Sequence, residues 1–231
     1  MCGRFTLTID PADLRDAFPG LTFPDAERMA PRFNIAPSQP VAVVANNGKN
    51  TVEFFKWGLI PSWAKDVSIG SRMINARAES LAEKPSFRAA YKRRRCLILA
   101  DGFYEWKPTP GSKTKTPMLI KMKSGEPFAF AGLWEAWHPD QANALLSCAI
   151  ITTTPNALVE KIHDRMPVIL KPEVYSLWLD PAEQSPDALD KLLKPYPALQ
   201  MTAFPVSRLV NDPKNDSPEC VVARLKAEGF A

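Results

Sequence analysis

The sequence lacks any long apolar segment. Of its 231 residues, 45% are hydrophobic and 23% are charged, and no stretch approaches the roughly 18 consecutive apolar residues that a membrane-spanning helix needs. The first residues also lack a basic stretch followed by an apolar one, which is the pattern of a secretory signal. The composition is that of a globular protein. We therefore expect a cytoplasmic protein that makes no contact with a membrane.

Cysteine is scarce and widely spaced. The four cysteines, at positions 2, 96, 148 and 220, do not form the C-x-x-C or Cys/His pairs from which zinc sites are built. We therefore expect no metal centre and no bound cofactor. Cys96 and Cys148 lie in hydrophobic runs, so in a reducing compartment we expect both to be buried as small apolar side chains.

No internal repeat, low-complexity tract or glycine- and serine-rich linker divides the chain, which predicts one domain over residues 1–231. The 23 prolines do not indicate disorder, because several follow a residue that caps helices. Asp10-Pro11, Thr154-Pro155 and Ser185-Pro186 each precede a segment with helical spacing, and proline costs no hydrogen bond at the first helical position. Each pair therefore predicts the start of a short helix.

Runs typical of strands dominate the rest of the chain. Asn46-Asn47-Gly48 and Lys123-Ser124-Gly125 each join two neighbouring runs and predict hairpins. The predicted class is α+β, with a curved, mostly antiparallel sheet surrounded by short helices. The predicted strands are residues 41–45, 51–59, 96–100, 118–122, 128–134, 147–153 and 199–204.

Positive charge is concentrated in one segment. The formal net charge is +4, and residues 84–95 contain six basic residues and no acidic one. Two explanations stay open. The segment contacts nucleic acid, or it is the C-terminal end of a helix, where the helix dipole favours cations.

The chain opens with Met1-Cys2-Gly3-Arg4. A small second residue suits removal of Met1, by an aminopeptidase or by the protein itself, and removal would make Cys2 a 1,2-aminothiol. Its amine has a reference pKa of about 7.7 to 8.0 and its thiol one of about 8.5, so part of each is nucleophilic near neutral pH. With an aldehyde, the amine forms a Schiff base and the sulfur then closes a five-membered thiazolidine. The alternative is a frayed terminus with an incidental cysteine.

Ile74-Asn75-Ala76-Arg77-Ala78-Glu79 has the alternation of an extended segment, which predicts Asn75, Arg77 and Glu79 on one face and the alanines on the other. Asn75 offers both a donor and an acceptor, and Arg77 offers a fork that fits phosphate oxygens. This pattern suits the floor of a pocket. The alternative is an ordinary half-exposed strand with an ion pair.

Two further motifs carry groups that can transfer protons. Glu105 lies between aromatic residues in Phe103-Tyr104-Glu105-Trp106, where burial would raise the pKa of its carboxyl group toward that of a general acid or base. A solvent-facing glutamate is the alternative. His163, one of two histidines, lies at the end of the helix predicted to begin at Pro155, and its imidazole suits proton transfer at neutral pH. A purely structural histidine is the alternative.

Aromatic residues are mixed with basic and turn residues in Arg32-Phe33-Asn34-Ile35-Ala36-Pro37 and in the segment from Phe54 to Trp63. Such mixtures can stack unpaired bases, and each stacked base contributes roughly 1 to 3 kcal/mol. Aromatic residues in strands more often belong to the core. We therefore assign Trp57 to the core and Trp63 to a stacking or wedging position.

Six motifs follow one another along the chain, namely Met1-Cys2-Gly3-Arg4-Phe5, Asn34-Ile35-Ala36-Pro37, Trp57-Gly58-Leu59-Ile60-Pro61-Ser62-Trp63, Asn75-Ala76-Arg77-Ala78-Glu79, Asp101-Gly102-Phe103-Tyr104-Glu105-Trp106 and His163-Asp164-Arg165-Met166-Pro167. In this order and spacing they resemble the SRAP family, the SOS response-associated peptidases or abasic site processing proteins. The likeness extends from residue 2 to about residue 215.

The resemblance implies a monomeric α+β protein built on a barrel-like sheet, with a basic groove for single-stranded DNA that contains abasic sites. It implies that Cys2 forms a thiazolidine with the opened sugar and so shields the lesion. By the same likeness, Asn75 orients the adduct, Glu105 assists sugar opening and proton transfer, and His163 helps this chemistry or its reversal. Removal of Met1 by the protein itself and an abasic-site lyase reaction are further properties linked to the family.

The resemblance also implies a set of DNA-binding residues. Arg4, Arg77 and Arg165 match positions that hold backbone phosphates, and Asn34, Pro37 and Trp63 complete the set. Some family members carry two tryptophans in tandem where this chain has Trp63-Ala64, so wedging at a duplex junction is less well supported than the chemistry of Cys2.

Two other functions fit part of the sequence. Glutamine amidotransferases with an N-terminal nucleophile also begin with Cys-Gly after methionine loss, but they need an oxyanion hole and a clamp for glutamine, and they have no evident use for the His163-Asp164-Arg165 motif. A non-covalent single-strand binding module would rely on aromatic residues and arginines alone, with Cys2 incidental.

Overall fold

The computed structural model describes residues 2–109, 111–138 and 144–224. Within these ranges the regular structure is mostly strand. The strands are β1 (Phe5–Leu7), β2 (Arg32–Ile35), β3 (Pro40–Ala45), β4 (Val52–Trp57), β5 (Asn75–Arg77), β6 (Arg95–Ala100), β7 (Gly102–Pro108), β8 (Lys115–Met122), β9 (Phe128–Trp137), β10 (Leu145–Thr153), β11 (Met166–Pro167), β12 (Ile169–Leu170) and β13 (Met201–Pro205).

The helices are short, and none of those described is long and apolar enough to cross a membrane. The α-helices are α1 (Pro11–Ala17), α2 (Arg88–Arg93), α3 (Tyr175–Trp178) and α4 (Pro186–Asp190). Short 3-10 helices cover Ala26–Met29, Val67–Arg72, Ala78–Ser80, Val159–Lys161, Pro172–Val174, Ala198–Gln200, Arg208–Asn211 and Pro218–Cys220.

Five strands close into a barrel. The pairing runs β10-β4-β3-β6-β9, and β9 pairs again with β10. Most of these pairs are antiparallel, whereas β10 runs parallel to β4 and to the added strand β5. The alternating residues that point inward are aliphatic and aromatic, so the interior is filled by side chains, as expected for a small barrel.

A second sheet, with strand order β13-β8-β7-β1-β2, packs against the barrel. Phe5 of β1 contacts Trp57 and Phe130 of the barrel edge to face, with ring centroids 5.1 and 5.6 Å apart. Phe5, Trp57 and Phe130 are completely buried in one core that spans both sheets. The start of the chain therefore belongs to the second sheet and packs the Phe5 side chain against the barrel.

The sequence predicted the fold class correctly, together with most of the long strands. Asn46-Asn47-Gly48 joins β3 and β4, which pair as an antiparallel hairpin. Asp10 and Ser185 cap α1 and α4 through their side chains. Cys96, Cys148 and Trp57 are buried in the core, as predicted.

Other local predictions were wrong. Lys123-Ser124-Gly125 does not form a hairpin, because β8 pairs with β7 and β13 while β9 belongs to the barrel. No α-helix begins at Pro155; only a 3-10 turn, Val159–Lys161, follows it. The turn signal and the proline signal are both local. The turn signal could not reveal that the chain changes sheets after β8.

The basic segment 84–95 is the end of a helix, and its arginines are largely occupied within the protein. Lys92 and Arg93 lie in the last turn of α2. Arg93 pairs with Glu183 at 2.8 Å, and Arg94 pairs with Glu135 at 2.5 Å. The helix-end explanation thus accounts for the position of these charges.

Arg95 is completely buried and holds two segments together. Its guanidinium donates to the carbonyls of Tyr91 and Lys92 at the end of α2, and to those of Trp178, Asp180 and Ala182 after α3, at 2.5 to 3.3 Å. A buried cation is tolerated only when its donors are satisfied. The five carbonyls satisfy them.

Replacing Arg95 by methionine should lower the free energy of unfolding by about 3 kcal/mol, because buried carbonyls lose their donor. For a protein of this size, the melting temperature should fall by roughly 6 to 12 °C. Urea denaturation of both proteins measures the difference.

Arg93→Gln is the matched control, since the Arg93–Glu183 pair is largely exposed and should contribute less than about 1 kcal/mol. Equal losses in the two variants would contradict a structural role specific to Arg95.

Candidate functional site

The start of the chain is held in place by its neighbours on both sides. Phe5 pairs with Phe103 of β7 and with Ile35 of β2, and the amide of Tyr104 donates to the carbonyl of Arg4 at 2.9 Å. A Cβ at Gly102 would lie 2.8 Å from the hydroxyl oxygen of Thr6, so glycine permits β7 to approach β1 this closely. Residue 2 is thereby brought beside the middle of β7.

Cys2 is completely buried. Its carbonyl oxygen accepts a hydrogen bond from the side-chain amide of Asn75 at 2.8 Å. Burial raises the pKa of the Cys2 thiol well above its usual range, and the nearby charge of Glu105 raises it further. The frayed terminus considered from the sequence is therefore not what the structure contains.

Asn75 belongs to β5, which pairs in parallel with β10 at Ile150. Alternation holds along this strand, since Ala76 is buried, Asn75 half-buried and Arg77 exposed. The side-chain oxygen of Asn75 is buried and accepts no hydrogen bond among the described residues. Asn75 thus holds Cys2 with its donor and keeps its acceptor available for a ligand.

Glu105 is buried in β7, with only 2% of its surface exposed. Burial raises the pKa of its carboxyl group from 4.5 to about 7, and the charge of Asp164 contributes in the same direction, whereas Lys115 opposes it. The carboxyl group therefore exchanges its proton near neutral pH. The environment inferred from its aromatic neighbours in the sequence is present.

His163 lies beside Glu105, with its Nε2 3.9 Å from Oε2 of that residue. Its Nδ1 accepts the backbone N–H of Arg165 at 3.0 Å, which in a neutral ring leaves the proton on Nε2, facing Glu105. Asp164 also lies 2.9 Å from Nδ1 and favours the charged ring. Burial outweighs this contact and lowers the pKa of His163.

These contacts bring four of the predicted residues into one site, namely Cys2, Asn75, Glu105 and His163. These residues are a nucleophile that would become terminal, an amide that positions it, a carboxyl group whose pKa is raised to about 7 and a histidine whose pKa is lowered by burial. Such a set can capture an electrophilic carbon and move the protons that this capture requires. No group of three or more possible metal ligands exists among the described residues.

The side chains of Arg4 and Asn34 are occupied by hydrogen bonds within the protein. Arg4 donates to Oδ1 of Asn34 at 2.8 Å and to the carbonyls of Val210 and Asn211 at 2.6 and 3.2 Å. Asn34 is completely buried, and its amide donates to three carbonyls between residues 210 and 215. Both residues thus attach the segment after β13 to the start of the chain, and their role in DNA binding stays a prediction.

Arg165 and Arg77 differ in whether the guanidinium is already paired with a carboxylate. Arg165 makes a two-pronged ion pair with Glu79, at 2.7 and 2.9 Å, and donates to the carbonyl of Thr152 at 2.7 Å. Arg77 is exposed at the end of β5, and no ion pair of its side chain is found among the described residues. Phosphate binding by either arginine stays a prediction, but Arg77 is the one that needs no rearrangement.

Trp63 lies on the surface, with 60% of its area exposed. The carbonyl of the following residue, Ala64, accepts the indole N–H of Trp137 at 2.8 Å, which anchors this loop to the barrel. Pro37 is half-buried in a turn whose Ser38 donates its amide to the carbonyl of Trp57. Stacking by Trp63 and contact through Pro37 stay predictions.

The sequence reasoning missed Lys115. Its charge acts on both Glu105 and His163, lowering the pKa of each. A signal was present, because residues 106–125 contain five lysines and no acidic residue. These lysines are too widely spaced in the sequence to stand out as a cluster, and only the pairing of β7 with β8 brings them closer together.

Comparison with known proteins gives a consistent result. The model of the SOS response associated peptidase (SRAP) family matches residues 1–213. Abasic site processing protein YoqW of Bacillus subtilis (strain 168) is 52% identical over 222 residues, covering 96% of this chain and 99% of that protein. Abasic site processing protein HMCES of Rattus norvegicus is 33% identical over 235 residues, covering 85% of this chain and 66% of that protein.

The fold is also found in a solved structure. An X-ray crystal structure of a protein from Bacteroides thetaiotaomicron superimposes with a TM-score of 0.85, covering 97% of this chain and all of that one, at 26% sequence identity.

The raised pKa of Glu105 predicts how stability depends on pH. The folded protein holds this proton more tightly than the unfolded chain, so the stabilisation is complete below about pH 4.3 and is lost as the pH rises to about 7. Glu105→Gln cannot ionise and escapes this loss. It should be more stable than the parent protein by about 1 to 3 kcal/mol at pH 8, and by much less at pH 5.

Urea denaturation at the two pH values measures this difference. The exposed Glu83 provides the control Glu83→Gln, which should change stability equally at both. If Glu105→Gln also showed the same change at pH 5 and pH 8, its carboxyl group would not titrate in this range.

Proposed function

This chain belongs to the SRAP family, and we propose that it processes abasic sites by binding single-stranded DNA and joining Cys2 covalently to the aldehyde of the base-less sugar. We propose that it acts as a monomeric, single-domain protein in the cytoplasm. The observation that carries the proposal is the placement of Cys2, which is enclosed, held by Asn75 and adjacent to a carboxyl group with a pKa near 7. The family and the names of its relatives support the substrate.

The environment of Cys2 suggests the order of bond formation. Because burial raises the pKa of its thiol, little thiolate is present at neutral pH. The α-amine that removal of Met1 would expose has a reference pKa of about 7.7 to 8.0. The amine therefore attacks the aldehyde first and gives an imine with loss of water, and the thiol then adds across the C=N bond.

Glu105 suits both proton transfers in this sequence. In its protonated form it can donate to the oxygen that leaves as water. In its ionised form it can accept the thiol proton as the S–C bond forms, while the imine nitrogen gains a proton, so the balance closes without an external reagent. A carboxyl group with a pKa near 7 populates both forms under the same conditions.

His163 is the second proton carrier. Its Nε2 faces Glu105 at 3.9 Å, a separation that a small shift or one water molecule would bridge. We propose that it exchanges a proton with Glu105 during formation and reversal of the adduct, which requires the neutral ring that its lowered pKa favours.

We propose that the DNA contacts Arg77 and Trp63, both of which are exposed. Arg77 offers its fork to a phosphate and Trp63 offers a face to a base. Asn75 would then use its available oxygen to orient the opened sugar. Engagement of a phosphate by Arg165 would require it to exchange Glu79 for the DNA.

The same site suits two related reactions. Attack of the Cys2 sulfur on the carbonyl of Met1, followed by hydrolysis of the thioester, would release Met1 and free the amine, as the peptidase name of the family suggests. An imine at the sugar also permits strand cleavage by β-elimination, which closure to the thiazolidine would suppress.

Cys2→Ala should abolish the adduct that survives denaturing gels on an abasic single-stranded oligonucleotide, because the amine remains but no sulfur can close the ring. Most of the reversible binding should be retained. Cys220→Ala, a buried cysteine in a separate small cluster, is the control and should still form the adduct. Intact mass spectrometry would report both removal of Met1 and the stoichiometry of the adduct.

A durable adduct formed by Cys2→Ala, or by protein that keeps Met1, would contradict the proposal. An equal affinity of all variants without any adduct would favour the non-covalent binding module. Release of ammonia from glutamine would favour the amidotransferase.

Glu105→Gln should slow adduct formation by about 100-fold or more, the usual effect of removing a general acid or base. His163→Ala should slow formation and reversal less. Time courses in both directions, at saturating DNA, measure these rates. Rates like those of the parent protein would remove the respective residue from the mechanism.

A further inference from the structure

A second concave region adjoins the site. It is a cleft of about 340 Å³, lined by Trp106, Thr114, Lys115, Arg208 and Asn211. Trp106 follows Glu105 on β7, so the two side chains point to opposite faces of the strand. Lys115 pairs with Pro108, two residues beyond Trp106, and therefore lies on the same face as Trp106. The cleft thus occupies the reverse face of the strand that carries Glu105.

The charged residues that line the cleft are both basic. Lys115 and Arg208 are exposed, and none of the described residues that line the cleft is acidic. The same end of the β7-β8 hairpin also carries the exposed Lys107 and Lys113. Such a concave surface attracts anions.

The walls of the cleft are fixed by hydrogen bonds. The indole N–H of Trp106 donates to Oδ1 of Asn211 at 2.8 Å, and Arg208 donates to the hydroxyl of Thr114 at 3.1 Å. These hydrogen bonds leave the Trp106 ring as a flat wall and hold Arg208 beside Lys115. A flat aromatic wall next to two cations matches the alternation of sugar or base with phosphate along a nucleic acid strand.

The cleft is linked to the segment that carries Cys2. Asn211, which lines the cleft, accepts the guanidinium of Arg4 through its carbonyl at 3.2 Å. The charge of Lys115 also acts on Glu105 and His163. Residues of the cleft are therefore coupled both to the segment that carries Cys2 and to the carboxyl group beside it.

We propose that Lys115 and Arg208 form a phosphate subsite that holds the DNA strand as it leaves the lesion, across the face of Trp106. The inference rests on the proposed function and adds a contact for the strand to those proposed for Arg77 and Trp63. A backbone phosphate is the ligand, so the subsite binds any sequence and needs no damage in the DNA that occupies it.

Lys115→Gln and Arg208→Gln test the subsite, with Lys123→Gln as the matched control. Lys123 is exposed just beyond the other end of β8 and contributes the same formal charge. Reversible binding of an undamaged single-stranded oligonucleotide is measured by fluorescence anisotropy between about 0.05 and 1 M salt. The slope of log affinity against log salt should become shallower by about 0.7 for each phosphate that a variant no longer binds. The loss of affinity relative to the parent protein should therefore be about fivefold greater at 0.1 M salt than at 1 M salt.

On an abasic oligonucleotide at saturating concentration, Arg208→Gln should form the adduct at the maximal rate of the parent protein but require more DNA to reach it. Slopes and affinities of the two variants equal to those of Lys123→Gln would overturn the subsite. If the parent protein formed no adduct at all, the proposed function would fail, while the salt slopes on undamaged DNA would still decide whether the cleft binds phosphate.

Discussion

The site depends on keeping the first residues of a chain fixed, although chain ends ordinarily fray. Here β1 is paired with β2 on one side and β7 on the other. Asn75 then donates a hydrogen bond to the carbonyl of Cys2, which lies just before β1. Phe5 anchors that strand in the core. Behind it, the buried carboxylate of Asp101 accepts the hydroxyls of Thr6 and Thr8 and faces Lys121 at 3.4 Å. Each of these contacts restrains Cys2 without occupying its reactive atoms.

Much of this arrangement could be read from the sequence, for a physical reason. Asn75, Glu105 and His163 lie in short motifs whose chemistry is local, so the alternation around Asn75 and the aromatic neighbours of Glu105 predicted their environments. The long aliphatic strands were also recognisable. The short strands β1, β2 and β12 were not, because two to four residues carry no periodicity of their own and become strands only through their partners.

The distribution of positive charge shows the limits of sequence reasoning most clearly. The dense run at residues 92–95 drew attention as a contact for nucleic acid, yet Arg95 is buried and Arg93 and Arg94 are paired with carboxylates. Lys115 and Arg208 are far apart in sequence and meet only through the tertiary fold. A count of charges along the chain cannot distinguish cations that brace the structure from cations that face solvent.

The contact of Arg4 with the carbonyls of Val210 and Asn211 has a consequence for biosynthesis. Val210 and Asn211 follow Arg4 by 206 and 207 residues, so residue 4 leaves the ribosome long before either acceptor has been synthesised. Until then the guanidinium of Arg4 lacks both of these partners. The first strand can therefore be braced in this way only after residue 211 has been added to the chain.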